Sequence, residues 1–149
     1  HEAGSRERQI AARYPGHRVL LAEDNPINRE VALELLRTCE LAVDVAEDGA
    51  KAVAMATDNH YALILMDMQM PRMDGIAATR EIRRMAGREE TPILAMTANA
   101  FEADRDNCLA AGMNDFITKP VDPAHLFSTL QRWLNRDAAA REGSPAAPD

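Results

Sequence analysis

Three carboxylates and one amine stand at the ends of apolar runs in this chain. Asp67 follows the run 61–66 (YALILM), Glu23 and Asp24 follow 17–22 (HRVLLA), and Lys119 follows 115–118 (DFIT). Runs of this kind read as buried strands, and parallel sheets gather their functional residues outside the carboxyl ends of their strands. A hard cation such as Mg²⁺ takes oxygen ligands, usually one or two carboxylates completed by waters and phosphate oxygens. Asp24 and Asp67 fit as direct ligands, with Glu23 acting directly or through water. Without a cation the acids repel, which raises at least one pKa. Lys119 supplies a point charge, either to a phosphoryl group or to the resting Asp67 carboxylate. The set therefore suits a nucleophilic carboxylate that accepts a phosphoryl group beside a divalent metal.

Each residue also has a plainer account. A single acid such as Asp24 is most simply a helix cap or a solvated loop residue, and a lone loop lysine is most simply solvated. What weighs against this is the combination of three acids at two strand ends and a lysine at a third. Pro120 adds to it, since an X-Pro bond just after a strand can be cis and so direct the lysine. Thr97 ends another apolar run and offers a hydroxyl to a phosphoryl oxygen, although a β-branched residue closing a strand explains it equally well. Met66, Met68 and Met70 alternate in a pattern that soft metals use, but hard acids surround them and packing is the better account.

The elements that must position these residues alternate along the chain. The pattern predicts strands at Val19–Ala22, Ala42–Ala46, Ala62–Met66, Pro92–Met96 and Phe116–Thr118. Helices fall between them, one opened by Asn25-Pro26 and running to about Cys39 on a stripe of Ile27, Val31 and Leu35. Asp48-Gly49 and Asp74-Gly75 open two more, Phe101–Ala111 forms the next and stops at Gly112, and Asp122-Pro123 opens the last. Five βα units imply an α/β fold, a parallel sheet with helices on both faces. Residues 1–16 read as a linker with a short helical stretch at Arg6–Arg13, 17–135 as the domain, and 136–149 as a disordered tail or linker. The chain starts with His, which suggests a piece of a longer protein.

Composition narrows the function. The 149 residues carry a net charge of −7 and offer no run of Lys or Arg, which argues against nucleic-acid binding. The apolar runs reach about five residues, far below the roughly 20 a membrane helix needs, and the N-terminus does not resemble a signal peptide. A cytoplasmic location follows. Cys39 and Cys108 have no CxxC spacing, and the four histidines form no HExxH pair, so a zinc site is not expected.

The stretches LLAEDNPINRE, LILMDMQMPRMDG, ILAMTANA and DFITKPVD occur in order and at compatible spacing. With them the chain resembles a response-regulator receiver domain over roughly residues 17–135. The resemblance implies a flavodoxin-like (βα)5 fold with strand order 2-1-3-4-5. It implies Asp67 as phosphoacceptor, Glu23 and Asp24 as an acidic pocket, and the backbone carbonyl of Gln69 as a further contact to Mg²⁺, with Mn²⁺ as a substitute. It places Thr97 and Phe116 at switch positions and Lys119 before a cis proline. Glu23 stands where aspartate is more frequent. Phe116 stands where many relatives have tyrosine, so a switch there works by packing alone.

The resemblance also implies a mechanism. A phosphohistidine, on a kinase dimerisation domain or a histidine phosphotransfer domain, would pass its phosphoryl group to Asp67. The helix starting at Ile27 would dock that partner, and output would run through the helix Phe101–Ala111, the fifth strand and the last helix. The only chemistry expected of the domain is its own phosphorylation and dephosphorylation. AEDNPIN and MDMQMPRMDG are most similar to receivers of bacterial hybrid sensor histidine kinases, whose parents can be anchored in the inner membrane; a stand-alone receiver is the alternative. Phosphorylation-dependent self-association stays open. A module that keeps the fold and signals by binding without phosphorylation is a further alternative; loss of an acid or the lysine would favour it, and none is lost. A phosphohydrolase resembling haloacid dehalogenases needs a second acid two residues after the nucleophile, where this chain has Gln69.

Overall fold

The computed structural model describes residues 2–70, 72–98 and 102–143, with side chains described from residue 6 to 136 outside 71 and 99–104. The elements run α1 (Glu2–Arg13), β1 (Arg18–Ala22), α2 (Pro26–Thr38), β2 (Ala42–Ala46), α3 (Gly49–Asp58) and β3 (Leu63–Asp67). They continue as α4 (Gly75–Arg83), β4 (Ile93–Thr97), α5 (Glu102–Ala111), β5 (Asp115–Thr118) and α6 (Pro123–Gly143). All strand pairs are parallel, in the order β2-β1-β3-β4-β5. The expected α/β architecture and strand order are both present. Phe101, expected to begin a helix, lies outside the described residues.

Three helices start at an Asx side-chain cap, two of them within three residues of a strand end and the third after the loop that follows β3. Asn25 Oδ1 accepts from the Ile27 and Asn28 N–H groups, Asp48 Oδ1 from Lys51 N–H, and Asp74 Oδ1 from Ala77 N–H. Each cap satisfies donors that a helix start leaves open. The helices therefore leave the sheet close to its carboxyl edge, which keeps the strand-end residues gathered there.

Alternation along the strands divides the core in two. On one face Val19, Leu21, Leu63, Leu65 and Leu94 pack under α2 and α6. On the other, Leu20, Ile64, Met66, Ile93 and Ala95 meet Ala52 and Ala56 of α3, Ala78 and Ile82 of α4, and Cys108 of α5. Small alanines let α3 approach closely. Two arginines tie loops to helix ends on this second face. Arg88 donates to the carbonyls of Ala56, Thr57 and Asn59 at the end of α3, and Arg83 to those of Arg88, Thr91 and Gly112.

Both ends differ from the sequence reading. Residues 1–16, expected as a linker with a helical stretch at Arg6–Arg13, contain that helix as α1, but it packs on the domain: Ile10 is fully buried and its neighbour Tyr14 is 3% exposed. They join the α2–α6 core, and polar contacts flank them: Arg6 and Gln9 with Gln131, and Tyr14 with Asn135. Two apolar groups at i and i+4 on a polar helix suffice because the groove they fill is already apolar. At the other end α6 continues to Gly143, past the expected boundary at 135, through Ala138-Ala139-Ala140, which are strong helix formers. Residues 144–149 lie outside the described residues.

Candidate functional site

Strand register brings the chemistry together. Ala22 pairs with Met66, so the residues that follow each, Glu23 and Asp67, come out side by side. Thr97 pairs with Thr118, and Lys119 comes next. Lys119 Nζ lies 2.9 Å from Asp67 Oδ1 and 3.6 Å from Glu23 Oε1. One carboxylate oxygen from each of Glu23, Asp24 and Asp67 lies within 4.8 Å of the others. Glu23 is fully buried and Asp67 is 2% exposed, whereas Asp24 is exposed at the rim. A cleft of about 260 Å³ opens over Asp67, lined also by Gln69, Asp74, Thr97 and Lys119 among others.

The hydrogen bonding is uneven. Glu23 Oε2 accepts the Asn25 N–H at 3.0 Å, but its buried Oε1 has no hydrogen-bond partner. Such an oxygen amid three carboxylates suits a hard cation. Gln69 N–H points to Asp67 Oδ1 at 3.4 Å, placing the Gln69 backbone against the cleft. The Lys119-Pro120 bond is cis, as the sequence suggested. Thr97 is nearly buried in the cleft wall. Phe116 lies outside that wall, half-buried, with the Arg105 guanidinium 5.0 Å from its ring centroid.

Burial, reinforced by the neighbouring Asp67, pushes the Glu23 carboxyl up from 4.5 to about 7, against the Asn25 N–H that favours its charge. Burial works to lower the Lys119 ammonium, but its hydrogen bond to Asp67 and the charges of Asp67 and Glu23 outweigh this and raise it. For Glu23 the sign is set by the folded chain keeping a proton that the unfolded chain has lost. Between pH 4.5 and about 7 stability should therefore fall as pH rises. Urea unfolding in chelator-treated buffer measures this, and Glu23→Gln should flatten the slope in that window. Equal slopes in wild type and variant would contradict the buried proton.

The acids, Lys119 and Thr97 thus converge as the sequence suggested, while Phe116 sits to one side. Three contributors were not singled out from sequence. Arg29 Nη1 donates to the Glu23 carbonyl at 3.1 Å, and Arg72 Nη1 to Asp48 Oδ2 at 3.3 Å. Asp48 was read only as opening a helix. An Asp before glycine signals a cap, but nothing local shows that its second oxygen meets a loop from another strand. Among the described residues no helix is long and apolar enough to cross a membrane.

Comparison with known proteins points the same way. The family described as the response regulator receiver domain matches residues 19–131. Two-component system protein A of Emericella nidulans is 43% identical over 136 residues, covering 89% of this chain and 19% of that protein. The signal transduction histidine-protein kinase BarA of Escherichia coli is 36% identical over 115 residues, covering 77% of this chain and 12% of that protein. The chain thus spans only a small part of these relatives. Among solved structures, the receiver domain of a Pseudomonas aeruginosa sensor histidine kinase, with magnesium ion coordinated in its active site cleft, shares 47% identity at a TM-score of 0.76. That likeness covers 80% of this chain and 98% of the other. The receiver domain of the Saccharomyces cerevisiae response regulator Ssk1, solved with the histidine phosphotransfer protein Ypd1, shares 30% identity at a TM-score of 0.77, covering 83% of this chain and 92% of the other. The chain belongs to the response regulator receiver domain family.

Proposed function

We propose that this receiver takes a phosphoryl group from a phosphohistidine onto Asp67. The observation that carries this reading is the buried Asp67 carboxylate, bonded to Lys119 at 2.9 Å, with two further acids placing an oxygen within 4.8 Å of it. A carboxylate oxygen of Asp67 forms the new bond to phosphorus, and the P–N bond breaks with its electron pair leaving on the imidazole. Lys119 exchanges its bond to Asp67 for one to the phosphoryl oxygens, so its charge follows the charge that develops. Thr97 offers a hydroxyl at the same wall.

Glu23, Asp24, Asp67 and the Gln69 carbonyl would hold Mg²⁺, the ion in the similar Pseudomonas receiver, or Mn²⁺ in its place. When bound, the ion neutralises negative charge shared between the carboxylates and the phosphoryl oxygens.

Ile27 and Val31 on α2 are 74% and 45% exposed, an apolar strip suited to docking a histidine-bearing helical partner. Output would pass through α5, β5 and α6, where Arg105 covers the Phe116 ring. The similarity to a histidine kinase and to a sensor-kinase receiver supports a hybrid sensor histidine kinase as the parent protein. Intact-protein mass spectrometry tests the chemistry. Incubation with acetyl phosphate and Mg²⁺, then with a phosphohistidine donor, should give one phosphoryl adduct that disappears in chelator and in Asp67→Asn. An adduct that survives in Asp67→Asn, or none from either donor, would refute the proposal.

A further inference from the structure

The loop from Met68 to Asp74 carries Gln69 past the acid cluster, and both of its ends are pinned by contacts too close for a side chain. Gly75 N–H donates to the Met68 carbonyl at 3.1 Å, and a Cβ on Gly75 would lie 2.2 Å from the Asp67 carbonyl oxygen. Toward α3, a Cβ on Gly49 would lie 1.9 Å from the Met73 carbonyl oxygen. Between these points Arg72 adopts the left-handed region at φ 69°, which a non-glycine residue holds only when its surroundings require it. Its Nη1 reaches Asp48 Oδ2 at 3.3 Å. Asp48 is 5% exposed, and its other oxygen caps α3 through Lys51 N–H at 2.8 Å. One buried carboxylate thus joins a helix start to the loop, on the wall of a cavity that Asp24 and Arg29 share.

We propose that Asp48 and Arg72 form a positioning latch for the metal site. By drawing the loop onto α3, the pair presets the Gln69 backbone opposite Glu23, Asp24 and Asp67. The inference rests on the reading above, in which these groups take Mg²⁺. Arg72 is 73% exposed along its side chain, so the pair contributes little to global stability and acts locally. Simple electrostatics makes the opposite prediction for Arg72. Removing a cation beside an acid cluster tightens divalent binding, whereas releasing a latch weakens it. The direction of the change separates the two.

Calorimetric titration with Mg²⁺ tests this in wild type, Arg72→Ala, Asp48→Asn and the double variant, with thermal midpoints measured in metal-free buffer. Asp48→Asn retains a good capping residue while losing the charge that Arg72 meets. Each single variant should bind Mg²⁺ about three- to fivefold more weakly, the most that breaking one exposed ion pair can transmit to the loop. The double variant should be no weaker than either single, since both break one interaction. The Arg72→Ala thermal midpoint should stay at the wild-type value, which a general loss of structure would not allow. Unchanged or tighter binding by Arg72→Ala, or additive losses in the double variant, would overturn the latch alone. Wild-type protein that takes up no Mg²⁺ would overturn the metal reading and the latch together.

Discussion

Lys119→Met should slow phosphorylation of Asp67 by acetyl phosphate by about 10²–10³-fold, the usual loss when a charge-stabilising group is removed from a reacting site. At the same time Mg²⁺ binding should tighten. Both effects follow from one position. Lys119 Nζ lies 2.9 Å from Asp67 and 3.6 Å from Glu23, so it neutralises two buried carboxylates that a divalent cation would also neutralise. Removing it ends that competition for the ion. It also removes the charge that has to follow the phosphoryl oxygens as the new bond forms. Methionine keeps much of the lysine stem's volume, so the effect is not one of a cavity. Phosphorylation time courses at saturating Mg²⁺ separate the two consequences. A normal rate in Lys119→Met would mean that other groups neutralise the phosphoryl charge.

The second large effect is expected of Gly75→Ala. The added carbon would lie 2.2 Å from the carbonyl oxygen of Asp67 and 3.1 Å from the Met68 Cα, both backbone atoms that cannot rotate away. Overpacking of this kind costs about 1–3 kcal/mol, and more where the neighbour is fixed. Because the displaced atom belongs to Asp67, phosphorylation should slow beyond what the unfolded fraction explains. Gly16→Ala is the control. Its φ is +75° but its new carbon meets nothing within 4 Å, so only the backbone preference is lost, about 1 kcal/mol. Urea unfolding with an unchanged m-value measures both. Equal losses for the two variants would mean that the loop yields at Gly75.

The sequence carried most of the site because its residues sit at the ends of runs with one reading. A short strand with an apolar core followed by a charged residue puts that residue at the sheet edge wherever the strand lies, which is why Asp67, Glu23 and Lys119 were legible. The Asx residues that cap α2, α3 and α4 act on amides within three residues, so they too could be read locally. The matching motifs supplied the strand order, which hydrophobic periodicity alone does not contain.

Other features depended on the folded chain. Ile10 and Tyr14 lie in a segment that reads as a linker, because the groove that receives them exists only once α2 and α6 are packed. Whether Glu23 or Asp24 is buried is decided by neighbouring strands; adjacent acids look alike in sequence, yet one is sealed and its carboxyl raised to about 7 while the other meets solvent. The meeting of Asp48 and Arg72, 24 residues apart, arises from α3 and the loop after β3 converging at the sheet's carboxyl edge. Local chemistry thus determined which groups the chain presents at that edge. Packing over long separations decided which are buried, which share a charge, and which hold the loop in place.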